Sequence, residues 1–312
     1  MAGPLTVSVI VPAHDAEPFL EATLASCVSQ TLPPLEVIVV DDASRDGTAR
    51  TAAAFGPPVK VMAGRGLGVS AARNDGVAAA SGEVIAFCDH DDLWEPDKLR
   101  RQAEVFQADQ GAAMVFTQAV VDDPGAPAGA GTRTIPFIAD PEAFLRRAHE
   151  ELAHWNFVPL SAAAVRASAL AGLQGPFDPR YALSEDWDLW LRLARRHPAG
   201  LRYIPEPLTR YRIVPGRATA RMADLRLEDL AVFEAEMEAS PWLEAADPAR
   251  CRATRHRLHR EAGYWLLREG RGPEARSHLG AAWRLRPTSV APLVRLAASL
   301  VPWAALGAHR RG

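Results

Sequence analysis

Between Leu5 and Val121, short β-branched and apolar runs alternate with longer stretches whose apolar positions recur at helical spacing. Alternation of that kind is the pattern of a parallel sheet covered by helices. It predicts strands over Thr6–Val11, Glu36–Val40, Val59–Ala63, Glu83–Cys88 and Ala112–Val121. The helices between them are predicted over Phe19–Ser29, Arg45–Ala54, Val69–Ala80 and Lys98–Ala108. Asp123–Gly131, rich in Pro, Gly and Ala, reads as a surface loop. From 141 to 215 short helices and strands mix, with an apolar, aromatic segment over Trp155–Leu160 and an amphipathic helix over Glu185–Arg196. Beyond about Ala218 nearly everything has helical period, and Gly263–Pro287 reads as one helix-turn-helix unit. A boundary is expected near Gly216. Residues 1–216 then form an α/β domain with a first half of about 1–121 and a second of about 132–216, followed by a helical region over 217–312.

Composition narrows the possible partners. Lys and Arg (35) nearly balance Asp and Glu (38), which leaves no electrostatic footprint for nucleic acid. The three cysteines, Cys27, Cys88 and Cys251, are far apart, odd in number and without metal-site spacing, so a disulfide framework is not expected and the reducing cytoplasm fits. The N-terminus shows no signal-peptide pattern. No run reaches the ~20 apolar residues of a membrane span. The closest, Pro292–Leu306, is interrupted by Arg295 and Pro302.

Four predicted strands end in polar or acidic residues: Asp15 after the first, Asp41 and Asp42 after the second, Arg65–Gly68 after the third, and Asp89–Asp92 after the fourth. Ligands of open α/β sheets bind at such carboxyl ends. Asp89 and Asp91, two apart on an extended segment, face one side while His90 points elsewhere, and hard oxygen ligands in that arrangement suit Mg²⁺ or Mn²⁺. The plainer alternative is an acidic turn that caps the helix starting near Pro96. Asp42 at a buried strand end has the chemistry to accept the imide N–H of a uracil ring. Ser44 or Asp46 would serve as N-cap of the next helix. The loop Gly64–Gly68 opens a helix, an arrangement that favours anions. Arg73, one turn in, is placed either to reach a base or diphosphate or to sit on a solvated helix face. No G-x-G-x-x-G follows the first strand, which counts against a dinucleotide-binding domain.

Several motifs, in this order, resemble glycosyltransferase family 2. They are Val9–Asp15 (VIVPAHD), Val40–Thr48 (VDDASRDGT), Gly68–Gly76 with its Ala72-Arg73-Asn74, Gly82–Asp92 (GEVIAFCDHDD) and Trp94–Leu99. The resemblance spans roughly residues 5–215 and implies a GT-A fold: a Rossmann-like mixed sheet flanked by helices, here with a C-terminal helical appendage. It implies an inverting enzyme that uses a nucleotide-diphosphate sugar, a UDP-sugar by preference, with a saccharide or lipid-linked acceptor, as in cell-envelope polysaccharide synthesis. It further implies that Pro12, His14, Asp15 and Asp42 hold the nucleoside, with Arg73 a further candidate. Asp89 would meet ribose and metal, and Asp91 would be the principal ligand of the Mg²⁺ or Mn²⁺.

Ser184–Leu193 (SEDWDLWLRL) is similar to the family segment that carries the catalytic base, which singles out Asp186, with Glu185 and Asp188 as competitors. Direct displacement needs such a carboxylate to take the acceptor proton. The bland reading is an acidic first turn on a helix whose Leu189, Trp190 and Leu193 pack inward. Two departures stand out. Val214 replaces a frequent histidine that completes the metal shell, and Asp15 stands where asparagine is commoner.

Two other classes compete: a sugar nucleotidyltransferase, whose Gly-rich N-terminal signature is missing, and a catalytically degenerate nucleotide-sugar- or partner-binding module. His154, Trp155, Asn156 and Tyr181 have the composition of an acceptor pocket or of plain core. An apolar face from Trp283 to Leu306, with Arg284, Arg286, Arg295, Arg310 and Arg311 beside it, suits packing on the catalytic domain or a homodimer partner. The alternative is peripheral contact with the inner face of a membrane.

Overall fold

The computed structural model describes residues 5–123, 133–135, 138, 140–173, 175–214 and 221–289. Its contacts divide the chain into two units, Met1–Val214 and Pro215–Gly312. The expected loop beyond Asp123, the boundary at Gly216 and the apolar tail from Val290 onward lie outside the described residues.

The first unit opens with β1 (Val7–Ala13), α1 (Glu17–Val28), β2 (Glu36–Asp41), α2 (Thr48–Ala53), β3 (Val59–Ala63), α3 (Val69–Ala79) and β4 (Val84–Phe87). It continues with β5 (Leu93–Trp94), α4 (Lys98–Ala108), β6 (Met114–Asp122), β7 (Arg133–Ile135), α5 (Pro141–Arg146) and α6 (Ala148–His154). A 3-10 turn (Leu160–Ala162), β8 (Ala163–Arg166), α7 (Ala167–Leu170), α8 (Glu185–Arg196) and β9 (Leu201–Arg212) complete it.

The five strands expected from the pattern all form, as β1, β2, β3, β4 and β6, with ends displaced by at most two residues. β1, β2 and β4 are covered on both faces, which is why they are largely apolar, whereas β3 at the sheet edge exposes Lys60 and Val61. Val9, Val11, Val37, Val39, Val84 and Ala86 point into one core with Leu20 and Leu24 of α1 and Phe106 of α4. Ile10 points the other way, against α3. A Cβ on Gly76 would lie 2.6 Å from Ile10 Cγ2, so the helix settles onto β1 only because that position is glycine.

The sheet order is β3-β2-β1-β4-β8-β6-β9-β5, with β7 on β6. β1 to β4 pair in parallel, but β8 inserts between β4 and β6, antiparallel to both, so the sheet is mixed rather than parallel throughout. Behind the site, Lys98 is wholly buried over the Trp94 ring and donates to Gln102, and burial pushes its pKa down to about 7. Gln102 in turn donates to the Val115 and Ala162 carbonyls, fixing the 3-10 turn against β6.

α2 begins three residues later than predicted, and the expected caps do other work. Its N-cap is Gly47, without a side-chain cap bond. Ala43 takes a left-handed φ of 61°, Ser44 accepts from the Asp15 N–H, and Asp46 accepts from the N–H groups of Glu17 and Thr48.

The second unit comprises α9 (Met222–Ala239), α10 (Pro241–Ala246), α11 (Pro248–Arg268) and α12 (Gly272–Leu285). The predicted helix-turn-helix is the α11–α12 pair, and α11 starts well before the predicted unit, at Pro248. α11 and α12 approach closely at Gly263, where a Cβ would lie 2.6 Å from Leu279 Cγ. Among the described residues no helix is long and apolar enough to cross a membrane.

His259 and His278 meet across this pair with their Nδ1 atoms 3.0 Å apart. Burial, and then His278, pushes the His259 pKa down to about 4. Below pH ~6.5 the unfolded chain takes up a proton that the folded helices refuse, so stability falls with pH from about 6.5 to 4. With the partial exposure of the ring allowed for, the cost at pH 5 is on the order of 1 kcal/mol. Thermal unfolding followed by circular dichroism at pH 7.5 and 5 should show this loss for the wild type and less of it for His259→Gln.

Candidate active site

Because β1, β2, β3 and β4 run parallel, their carboxyl ends share one edge, and the four polar loops gather there. The Asp89–Asp92 turn after β4 is pinned from several sides. The Asp89 N–H donates to Ser161 Oγ (2.9 Å), His90 Nδ1 donates to the Pro12 carbonyl (3.0 Å), and Thr23 Oγ1 donates to the His90 carbonyl (2.8 Å). Arg212 at the end of β9 donates its N–H to Asp92 (3.0 Å) and its Nε to the Asp91 carbonyl. Asp92 is therefore a buried anchor. Asp89 and Asp91 remain partly exposed, and His90 turns away from them. The turn does not cap the following helix: α4 starts at Lys98 with Asp97 at its N-cap.

One face of α3 carries Ser70, Arg73 and Asn74, spaced i, i+3 and i+4 and so aligned on the helix. Ser70 Oγ donates to the Tyr181 carbonyl (2.7 Å). Asn74 exchanges two bonds with Phe177, donating to its carbonyl (2.7 Å) and accepting from its N–H (2.9 Å). Arg73, only 4 % exposed, donates Nη2 to Asp89 Oδ1 at 2.6 Å and Nη1 to Glu185 Oε1, with its guanidinium 5.4 Å from the centre of the Phe177 ring. Arg73 is thus not on a solvated helix face. It ties the strand-end carboxylate to the first residue of α8.

Of the three acidic residues opening α8, Glu185 is held by Arg73 and Asp188 by Arg192 at 2.7 Å. Asp186 has different partners: its Oδ1 accepts from Asn156 Nδ2 at 3.0 Å and from the Trp187 N–H at 2.6 Å. Leu189, Trp190 and Leu193 pack inward, as the amphipathic pattern requires. The inward face and the acidic turn coexist on one helix.

The first two loops are stitched together. His14 Nδ1 donates to the Asp42 carbonyl (2.7 Å), and Asp15, at a left-handed φ of 46°, accepts from the Arg45 N–H (2.8 Å). Asp42 is buried, and its two oxygens accept from the Gly66 and Gly68 N–H groups, each at 2.7 Å. The backbone donors that the third loop would offer an anion are therefore turned onto Asp42, which sets the shape of that loop. Pro12 is buried, whereas His14 and Asp15 are exposed at the mouth. Of the aromatic cluster, His154 and Tyr181 belong to the core, while Trp155 is 53 % exposed and Asn156 turns to Asp186.

Charge is concentrated here. Burial opposes the Arg73 cation, but Asp89 and Glu185 outweigh it and raise the pKa of the guanidinium. Burial, then Asp89 and Asp91, raises Asp92 well above the ordinary carboxylate range. Asp186 is raised likewise, by burial, then Glu185 and also Asp89, with Arg73 opposing. Tyr211 is pushed up by burial, then by Asp92, Asp89, Asp91 and Asp186. Among the described residues no three His, Cys, Asp or Glu side chains converge to hold an ion by themselves. Val214 contributes no ligand at the end of β9.

Ser161, Phe177, Glu185 and Arg212 are the parts of this site that sequence reasoning missed as structural partners. The only signal was the shared helical face of Ser70, Arg73 and Asn74.

Residues 8–171 match the model of glycosyl transferase family 2. Among curated relatives, the putative teichuronic acid biosynthesis glycosyltransferase TuaG of Bacillus subtilis (strain 168) is 36% identical over 115 residues, 36% of this chain and 45% of that protein. The UDP-Glc:alpha-D-GlcNAc-diphosphoundecaprenol beta-1,3-glucosyltransferase WfgD of Escherichia coli is 37% identical over 98 residues, 31% of this chain and 39% of that protein. The matched stretch thus spans less than half the length of these two relatives. Among solved structures, the mannosyltransferase PcManGT from Pyrobaculum calidifontis, in complex with GDP-Man and Mn2+, superposes with a TM-score of 0.59 at 22% identity, covering 99% of this chain and 82% of that one. That likeness shows the shared fold, the GT-A architecture of a mixed sheet between helices. With the family match covering more than half of the chain, the protein belongs to glycosyl transferase family 2.

Proposed function

We propose that the protein is an inverting glycosyltransferase that moves a sugar from a nucleotide-diphosphate sugar, a UDP-sugar by preference, to a hydroxyl of a glycan or lipid-linked saccharide. The observation that carries this reading is the Arg73 bridge, which sets Asp89 at the end of β4 beside the Glu185–Asp186 start of α8. That proximity supports a donor site beside a base. The relatives named for teichuronic acid synthesis and for glucosyl transfer to a diphosphoundecaprenol-linked sugar support a cell-envelope polysaccharide as the product class.

Pro12, His14, Asp15 and Asp42 line the nucleoside end, with the uracil imide accepted by Asp42, whose oxygens retain lone pairs beyond the two glycine bonds. Asp89 meets the ribose and the metal, and Arg73 holds it in place. Asp89 and Asp91 offer only hard oxygen ligands, which fits Mg²⁺ or Mn²⁺ provided that diphosphate oxygens and water complete the shell, as Val214 requires. What such an ion supplies is neutralisation of charge on the leaving diphosphate. Asp186 takes the proton of the acceptor hydroxyl while that oxygen attacks the anomeric carbon opposite the diphosphate. One displacement inverts the centre.

A thermal-shift titration with UDP, GDP, dTDP and CDP, each with and without Mn²⁺, tests the donor site. A ligand at 100 times its Kd stabilises the fold by about 2.7 kcal/mol. Selective, Mn²⁺-enhanced stabilisation by UDP is expected. No shift with any nucleotide would overturn the reading in favour of a degenerate module.

A further inference from the structure

We propose that Asn156 is a positioning residue for Asp186: its amide and the Trp187 N–H together occupy Oδ1, leaving Oδ2 as the oxygen that takes the acceptor proton. The proposal rests on the reading of Asp186 as the base. Asn156 Nδ2 lies 3.0 Å from Asp186 Oδ1, and the Trp187 N–H lies 2.6 Å from the same atom. Two donors fill the lone pairs of one oxygen and leave the other free of them.

The amide has one consistent orientation. Its Oδ1 accepts from the Val158 N–H at 3.3 Å, and an ionised carboxylate can only accept, so the NH₂ must face Asp186. The segment that carries Asn156 is fastened to α8 on either side. Trp187 Nε1 donates to the Leu152 carbonyl (2.7 Å), and Trp190 Nε1 donates to the Val158 carbonyl (3.2 Å). Asn156 and Asp186 are therefore held in register by the same helix. Neither neighbouring acid is treated this way, since Glu185 and Asp188 are paired with arginines.

In the step itself the acceptor O–H bond breaks and its proton passes to Oδ2. The hydroxyl electron pair forms the new C–O bond, and the bond from the anomeric carbon to the diphosphate breaks with its electrons leaving on the diphosphate. No other reactant is needed. A fixed Oδ1 determines where Oδ2 points, so loss of the amide misdirects the base without touching the donor. It also removes a donor that favours the ionised carboxylate. The charged and titratable groups facing Asp186 are Glu185 beside it, Arg73 from α3, Asp89 from the end of β4 and Tyr211 from β9.

The test compares wild type, Asn156→Leu, Asn156→Asp and Asp186→Asn. One readout is nucleotide release from UDP-glucose, UDP-N-acetylglucosamine and GDP-mannose, with water as acceptor. The other is ¹³C NMR titration of the Asp186 carboxyl. Asn156→Leu is expected to lower kcat about tenfold or more with the donor KM unchanged, and to move both the acid limb and the carboxyl titration to higher pH. Asn156→Asp, nearly isosteric, should move them further, because a second carboxylate beside the first disfavours its ionisation. A wild-type kcat and wild-type titration in both Asn156 variants, with Asp186→Asn inactive, would overturn this inference alone. Full activity in Asp186→Asn would overturn the base assignment beneath it. Where turnover is too slow to follow, the carboxyl titration decides.

Discussion

Asp186→Asn is expected to lower transfer by about 10²- to 10⁴-fold, the usual contribution of a general base, while UDP affinity stays within about twofold. Asparagine keeps the shape of the side chain and can still accept the Trp187 N–H, but it cannot take a proton. The two effects separate because Pro12, His14, Asp15 and Asp42, proposed to hold the nucleoside, sit on the first two strand ends, whereas Asp186 opens α8. The pH dependence follows from the electrostatics of the site. Burial, Glu185 and Asp89 raise the Asp186 carboxyl, with Arg73 opposing. A base must be ionised to act, so activity should rise with pH through this raised pKa, with an acid limb above the ordinary carboxylate range. That limb should vanish from the residual activity of the variant. Nucleotide release and UDP-induced thermal shifts measured on the same preparation decide the matter, and an unchanged turnover would remove Asp186 from the chemistry.

What the chain discloses about its fold depends on how locally each feature is determined. β1, β2 and β4 are covered on both faces, so their apolar runs mark them without reference to any partner. β8 gives no such signal: Ala163-Ala164-Val165-Arg166 has little β-propensity, and it is a strand because β4 and β6 flank it with open edges. β9 is hidden for a different reason. Pro205 and Pro207 argue against a strand, yet they are accommodated where the pairing with β6 slips around Gln118, so that extra residues of β9 bulge past the ladder.

The site divides in the same way. Asp89, Asp91 and Asp186 stand out because carboxylates at a strand end and a helix start are chemically conspicuous. The partners that give them direction come from remote sequence: Arg73 reaches Glu185 across 112 positions, and Asn156 reaches Asp186 across 30. The anion-binding appearance of Gly64–Gly68 was misleading in one respect, since Asp42 already takes two of its backbone donors. Spacing along a chain carries information about one helix or one strand, and none about which two of them will meet.

Arg73→Met should destabilise the first unit by about 3–5 kcal/mol, the cost of leaving a buried charge without its partner. For a unit of this size that corresponds to roughly 6–20 °C in Tm. Glu185 decides the magnitude. Its Oε2 is buried and already lacks a hydrogen-bond partner, so losing the guanidinium on Oε1 leaves an uncompensated carboxylate. Asp89 is partly exposed, and water can screen it. Replacing both members of a buried pair by apolar residues is often neutral, so Arg73→Met/Glu185→Leu is expected to recover most of the loss. Equal Tm values for the single and double variants would show that the pair is not coupled. The double variant also separates stability from chemistry. With its fold restored but Asp89 no longer tied to α8, it should keep a high Tm and transfer sugar poorly, because the carboxylate proposed to meet the donor and the helix proposed to carry the base are then positioned independently of one another.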